Sequence, residues 1–217
     1  MNLLLDGLPE EVEILGQRLR INTDFRTGII FEEMMTDRSL TELEKLQTAL
    51  ALYFPGVQFG YDAIDEAINQ VLWFYRCGSA FQRGTTEDGQ EPDGDDSETA
   101  FSYEHDADYI YAAFMQAYGL DLTQATLHWW QFRALFRSLP EDTQFVKIVG
   151  YRTLKIPAKM PKEQRQHYEK MKRLYALPQS ADRQQLESDL NSLLLNGGNP
   201  TALLAGGQGH ARRHSEI

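Results

Sequence analysis

Cysteine is almost absent from this chain. Cys77 stands alone among 217 residues, so no internal disulfide can form and a reducing, intracellular home is the default expectation. Long apolar runs are missing too, with nothing near the ~20 consecutive residues that a membrane-spanning helix needs. The opening MNLLLDGLPEE has three leucines but no basic stretch, and it turns acidic at once, unlike a signal peptide. These absences predict a soluble protein of the cytoplasm. Hydrophobic residues at 42% and charged residues at 24% are ordinary globular values and exclude wholesale disorder. A chain of 24.9 kDa buries roughly 70% of its extended surface, enough to fold without a disulfide or a metal. The length predicts one domain with at most a small appendage.

Basic charge is scarce in one half. The first 110 residues hold 7 Lys/Arg against 23 Asp/Glu, a net of -16, while residues 111–217 hold 14 against 9, a net of +5. A total of -11 makes a poor general binder of nucleic acid, whose duplex form carries about one negative charge per 1.7 Å. The basic half can instead meet an acidic protein surface, including the acidic half of another copy.

Chemistry-bearing motifs are lacking as well. There is no Walker loop, no Gly-x-Ser-x-Gly elbow and no His-Glu-x-x-His, and a single cysteine removes the usual zinc patterns. His210 and His214 are four apart but stand in a glycine-rich tail where no helix is expected. His105, Asp106 and Asp108 read as helix-start residues rather than an acid/base cluster. His128 reads as a hydrogen-bonded core histidine, and Cys77 as a buried inert thiol. The expectation is therefore a protein that is no enzyme, with no catalytic residue, no cofactor and no metal.

What is present is helical periodicity after a short β segment. Val12, Ile14, Leu19 and Ile21 alternate with polar residues around Gly16-Gln17, which predicts a hairpin with a type II′ turn. Thr23 or Asp24 caps a helix to about Met35, with Phe25, Ile30 and Met34 inward and Gly28 as a weak point. Ser39-x-x-Glu42 predicts a capping box before a helix striped by Leu43, Leu46, Leu50 and Tyr53. A third helix starts near Asp62 and buries Ile64, Ile68, Val71, Leu72 and Tyr75. Residues 84–100 hold seven acids, no basic residue and no large apolar one, which predicts a mobile acidic, disordered loop. The spacing of those acids does not fit an EF-hand.

Beyond the loop a helix resumes near Asp106, with Ala107, Ile110, Tyr111, Phe114 and Tyr118 on one face and Gly119 as its left-handed stop. Thr123 to Leu139 is apolar nearly all round and reads as a central helix. Its adjacent tryptophans point about 100° apart, with Trp130 to the core and Trp129 on Phe132 and Phe136. Thr143 to Val149 forms a short helix ended by Gly150. From Lys147 to Arg173 there are nine basic residues and two acidic ones. Pro161 opens a helix there, with Tyr168, Met171 and Tyr175 as a narrow apolar stripe. A last helix capped by Ser180 carries a seam of Leu186, Leu190, Leu193 and Leu194, and residues 196–217 read as a flexible tail. The fold class is thus mainly α, a compact multi-helix bundle with a small N-terminal β-hairpin. The expected division is a helical domain over 1–156, a basic helical arm over 157–195 and the tail. Candidate protein-interaction residues are Lys159, Lys162, Arg165, Tyr168, Lys172, Arg173, Leu186, Leu190 and Leu193.

Three stretches carry a resemblance: Asp106 to Phe114, Leu127-His-Trp-Trp-Gln-Phe132, and Ile148-Val-Gly-Tyr-Arg152. Together they resemble the "gene product fifteen" family of tailed phages and prophages of Gram-positive bacteria, over residues 10–156, with Asp24-Phe-Arg26 fitting more loosely. Members are usually encoded between the tail-tube and tape-measure genes, the place of tail-assembly chaperones. The resemblance therefore implies a tail-assembly protein of the host cytoplasm that binds the tape-measure protein or other phage tail proteins, and it brings no catalytic residues; the two oppositely charged regions point separately to self-association. The alternatives left open are a structural tail or connector subunit of the virion and, more weakly, a nucleic-acid-associated protein using Lys155 to Arg173.

Overall fold

The computed structural model of the chain describes residues 4–79, 100–157 and 159–178. The acidic stretch 84–99, the leucine seam of 186–194 and the tail 196–217 lie outside the described residues. The chain divides into two units, Met1–Tyr175 and Ala176–Ile217.

Alternation in the first segment builds β1 (Glu11–Ile14) and β2 (Gln17–Arg20), an antiparallel pair in which Glu11 faces Arg20 and Ile14 faces Gln17. Val12 and Ile14 are buried. The expected turn is displaced by one residue. Leu15 and Gly16 form the loop, with φ of +49° and +76°, and two positive φ values mark a type I′ turn rather than II′. A leucine in the left-handed region costs about 1 kcal/mol. Its N–H donates to Glu66 Oε2 at 2.9 Å, which ties the turn to a helix.

Seven helices follow among the described residues. The first, α1 (Phe25–Thr36), starts where the Asp24 side chain accepts the Arg26 N–H at 2.8 Å. Ile30, expected inward, is 48% exposed, and Phe31 takes its place in the core. Gly28 is a packing requirement, since a Cβ there would stand 2.3 Å from the Trp129 ring. In α2 (Glu42–Tyr53) the capping box is Thr41 with Glu44, not Ser39 with Glu42, because Ser39 is taken by Asp37. Leu43 is 63% exposed, whereas Ala49 and Tyr53 are buried. In α3 (Ile64–Tyr75) the fully buried residues are Ala67, Val71 and Phe74, with Ile68, Leu72 and Tyr75 at the margin.

The next helix, α4 (Ala107–Tyr118), buries Ile110, Ala113 and Phe114 and stops at Gly119, φ +62°. The long helix expected from Thr123 is shorter: α5 spans Trp129–Arg137. The reason lies far away in sequence. Arg26 donates to the carbonyls of Leu122, Thr123 and Ala125, which a helix would need for its own hydrogen bonds. Backbone bonds from Phe25 to Leu127 (3.0 Å) and from Trp129 to Thr23 (2.7 Å) then start α1 and α5 side by side. His128 is therefore the N-cap of α5 rather than a residue within it. Its Nδ1 accepts the Trp130 N–H at 3.0 Å, and Gln131 completes a capping box. Gly150 takes no left-handed φ, so α6 (Gln144–Thr153) runs through it. Last comes α7 (Lys162–Leu174), with Pro161 at its N-cap, one position earlier than expected.

The core is aromatic and centred on α5. Trp129 stacks on Tyr75 (5.4 Å) and Phe132 (5.8 Å), and Phe132 lies between Phe25 (4.9 Å) and Phe114 (5.3 Å). Both indole N–H groups donate to carbonyls in the last turn of α3, from Trp129 to Tyr75 and from Trp130 to Phe74, each at 2.8 Å. Carbonyls at a helix end lack partners within the helix, so the two tryptophans close the end of α3 while filling the interior.

Candidate protein-interaction surface

Pro161, with its fixed φ, and Glu163 in the first turn suit a helix start, and Lys172 and Arg173 suit the negative end of its dipole. The resulting α7 rests on α6 by one narrow stripe. The Tyr151 ring meets Tyr175 (6.0 Å, nearly parallel) and Tyr168 (6.4 Å). Gln144 donates to the Tyr175 hydroxyl at 3.1 Å, and Arg152 Nε donates to the Tyr175 carbonyl. No residue of α7 is fully buried.

Arg152 is held rigidly for this task. Its guanidinium makes a two-pronged pair with Asp106, at 2.6 and 2.8 Å, and a third bond reaches the Ala100 carbonyl. Both partners are buried, Asp106 to 1% exposure. Burial alone would push the Asp106 carboxyl up, but Arg152 and the Ser102 N–H outweigh it and hold it below the usual carboxylate range. Asp106 thus makes no cap bond to α4, contrary to its expected role.

The opposite side of α7 carries charge. Lys162, Gln166, Lys170 and Arg173 recur at four, four and three residues and are all exposed, so they form one stripe. Lys162, Lys170 and Arg173 take part in no ion pair among the described residues. Of the residues singled out from sequence, the structure brings Lys162 and Arg173 onto this stripe and places exposed Lys159 just ahead of it. Arg165 and Lys172 are half-buried at its edge, Arg165 donating to the Pro157 carbonyl at 3.2 Å. Tyr168 faces Tyr151 instead. Leu186, Leu190 and Leu193 lie outside the described residues. Lys170 was missed, although its four-residue steps from Lys162 through Gln166 would have found it.

The interior polar groups are arranged for packing. Tyr75 donates to Glu32 Oε2 at 2.6 Å, and Arg133 pairs with the same carboxylate at 3.8 Å. Burial, and then the bond to Glu32, raise the Tyr75 phenol well above its ordinary range. Burial also raises the Cys77 thiol, against the pull of Arg133 and Arg137, which leaves less of the reactive thiolate. Burial lowers the His128 imidazole, against its contact with the Pro9 carbonyl at 3.0 Å and the Glu10 charge. Among the described residues no group of three His, Cys, Asp or Glu could hold a metal ion. None of their helices is long and apolar enough to cross a membrane.

The three motif stretches meet in this geometry. Asp106 pairs with Arg152, the His128-Trp129-Trp130 start of α5 closes α3, and Ile148 is fully buried. No curated protein and no solved structure matches the chain. A family model described as bacteriophage Gp15 protein matches residues 4–177, a stretch that includes α7 as well as the aromatic body. The chain belongs to the bacteriophage Gp15 protein family.

Proposed function

We propose that this phage protein is a tail-assembly chaperone that binds the tape-measure protein and holds it in solution until the tube polymerises around it. It acts by binding and carries out no chemical transformation. The observation that carries the reading is the exposed basic stripe of α7, presented outward by a helix that rests on α6 along one narrow face, in a chain of this family. Such a stripe suits an acidic protein surface. Leu186, Leu190 and Leu193, spaced for one helix face in the sequence, would supply an apolar contact to a long helical partner.

Co-expression tests the proposal. The tape-measure protein should stay soluble and co-purify with the wild-type chain, and a chain truncated after Pro178 should lose it. Insoluble tape measure with the wild-type chain would overturn the reading. Mass spectrometry of purified virions should find the chain absent; stoichiometric copies would make it a tail or connector subunit instead.

A further inference from the structure

We propose that the basic stripe of α7 docks on a second copy of this chain, at an acidic patch around the start of α3. The inference rests on the binding role given to α7 above and gives its stripe a second copy as partner, which leaves the segment of Leu186, Leu190 and Leu193 to the tape-measure protein. Around the start of α3, Asp62 and Asp65 are exposed and take part in no ion pair among the described residues. No Lys or Arg occurs from Val57 to Tyr75. Tyr61, next to Asp62 in the chain, is 98% exposed, and Val57 just upstream is 40% exposed. A tyrosine left entirely in water gains nothing for the fold, and aromatic side chains are enriched at protein interfaces.

The stripe on α7 is complementary in both respects. Lys162, Lys170 and Arg173 supply the opposite charge, and Leu174, one turn on from Lys170, is 63% exposed. Each surface thus combines unpaired charge, acidic at α3 and mainly basic on α7 where Glu163 and Glu169 are also exposed, with an exposed apolar side chain. Within one copy the two are carried on different supports, α7 on α6 and α3 on α2 and β1. The joined surfaces differ from each other, so the contact is head-to-tail. Such a contact leaves one stripe and one patch unused at the ends, and copies add on in an open row unless the rotation closes a ring. A row of this kind could line up along a rod-shaped partner.

Sedimentation of the full-length chain alone tests the inference without the tape-measure protein. At about 50 mM salt and about 100 μM protein the weight-average mass should rise at least about twofold above the monomer, and it should fall back at about 500 mM salt as screening shortens the reach of the charges. K170E/R173E and D62K/D65K should each sediment as monomers. Mixed in equal amounts they should assemble again, because each basic surface then has an acidic partner on the other variant. Tyr61→Ser, at a side chain with almost no contacts to lose, should weaken assembly about tenfold with unfolding unchanged. A monomeric wild-type chain at low salt, or assembly indifferent to these substitutions, overturns the inference. The tape-measure reading keeps its own test, since co-purification and solubility can succeed with a monomeric chain.

Discussion

α5 and α7 are both amphipathic, and the shorter one holds the molecule together. α5 has nine residues and buries Trp129, Trp130 and Phe132 completely or nearly so; α7 has thirteen and buries none. Helix length therefore says little about structural weight. What separates the two is the size of the apolar side chains and whether their polar atoms find partners inside. The α5 indoles fill space and satisfy the α3 carbonyls at once, whereas α7 leans on α6 through tyrosine rings whose neighbours stay partly wet. The first arrangement makes a core, and the second leaves a surface available to other molecules.

The largest expected effect breaks the α5 side of the contrast. Trp129→Ala should cost about 4 kcal/mol by cavity formation, and denaturant unfolding would measure it. Asp106→Ala should cost about 3 kcal/mol, because the buried Arg152 is left without its counter-charge. The same pair sets an acid limit. The Asp106 carboxyl titrates below its ordinary 3.8 when folded, so its contribution is complete above that pH and is lost as pH falls through the lower folded value. Asp106→Asn should flatten that limb in a series of melts at decreasing pH.

Gly28→Ala should cost about 2 kcal/mol by overpacking, since the Trp129 ring it meets is backed by Tyr75 and Phe132. His128→Ala should cost about 1 kcal/mol through the lost cap. His128 also titrates below 6.5 when folded, so the unfolded chain takes up its proton first and stability declines as pH drops below 6.5. His128→Asn keeps a capping side chain and should remove that decline. The smallest effects belong to α7. Lys170→Ala should change global stability by no more than about 0.5 kcal/mol. Tyr168→Ala should chiefly speed amide exchange within α7 while the α5 amides keep their protection. A large global loss from either would erase the distinction between the two helices.

Local signals carried much of the fold into view. Alternation around Val12 and Ile14 marked the hairpin, Asp24 marked the start of α1, Gly119 the end of α4, and Tyr168 and Tyr175 the face by which α7 rests on α6. Signals of the wrong range failed. The apolar run from Thr123 reads as helix until Arg26, 96 to 99 residues away, captures its carbonyls. Gly28 reads as a weak point until Trp129 is known to lie against it. Clustering of Lys and Arg in the sequence marked α7 as the basic helix. Clustering alone does not separate Lys170 on the outward stripe from Arg165 and Lys172 at its half-buried edge.

Periodicity, turn residues and composition within short windows were enough for the helical class, the N-terminal hairpin and the charge asymmetry, while the family rested on the motif stretches around Asp106, Trp129 and Arg152. Tertiary structure alone decided where α5 begins, that Asp106 joins Arg152 across 46 residues, and which cations on α7 face outward. Those outcomes turn on which distant group reaches a carbonyl, a carboxylate or a ring first, and neighbours along the chain carry no record of that.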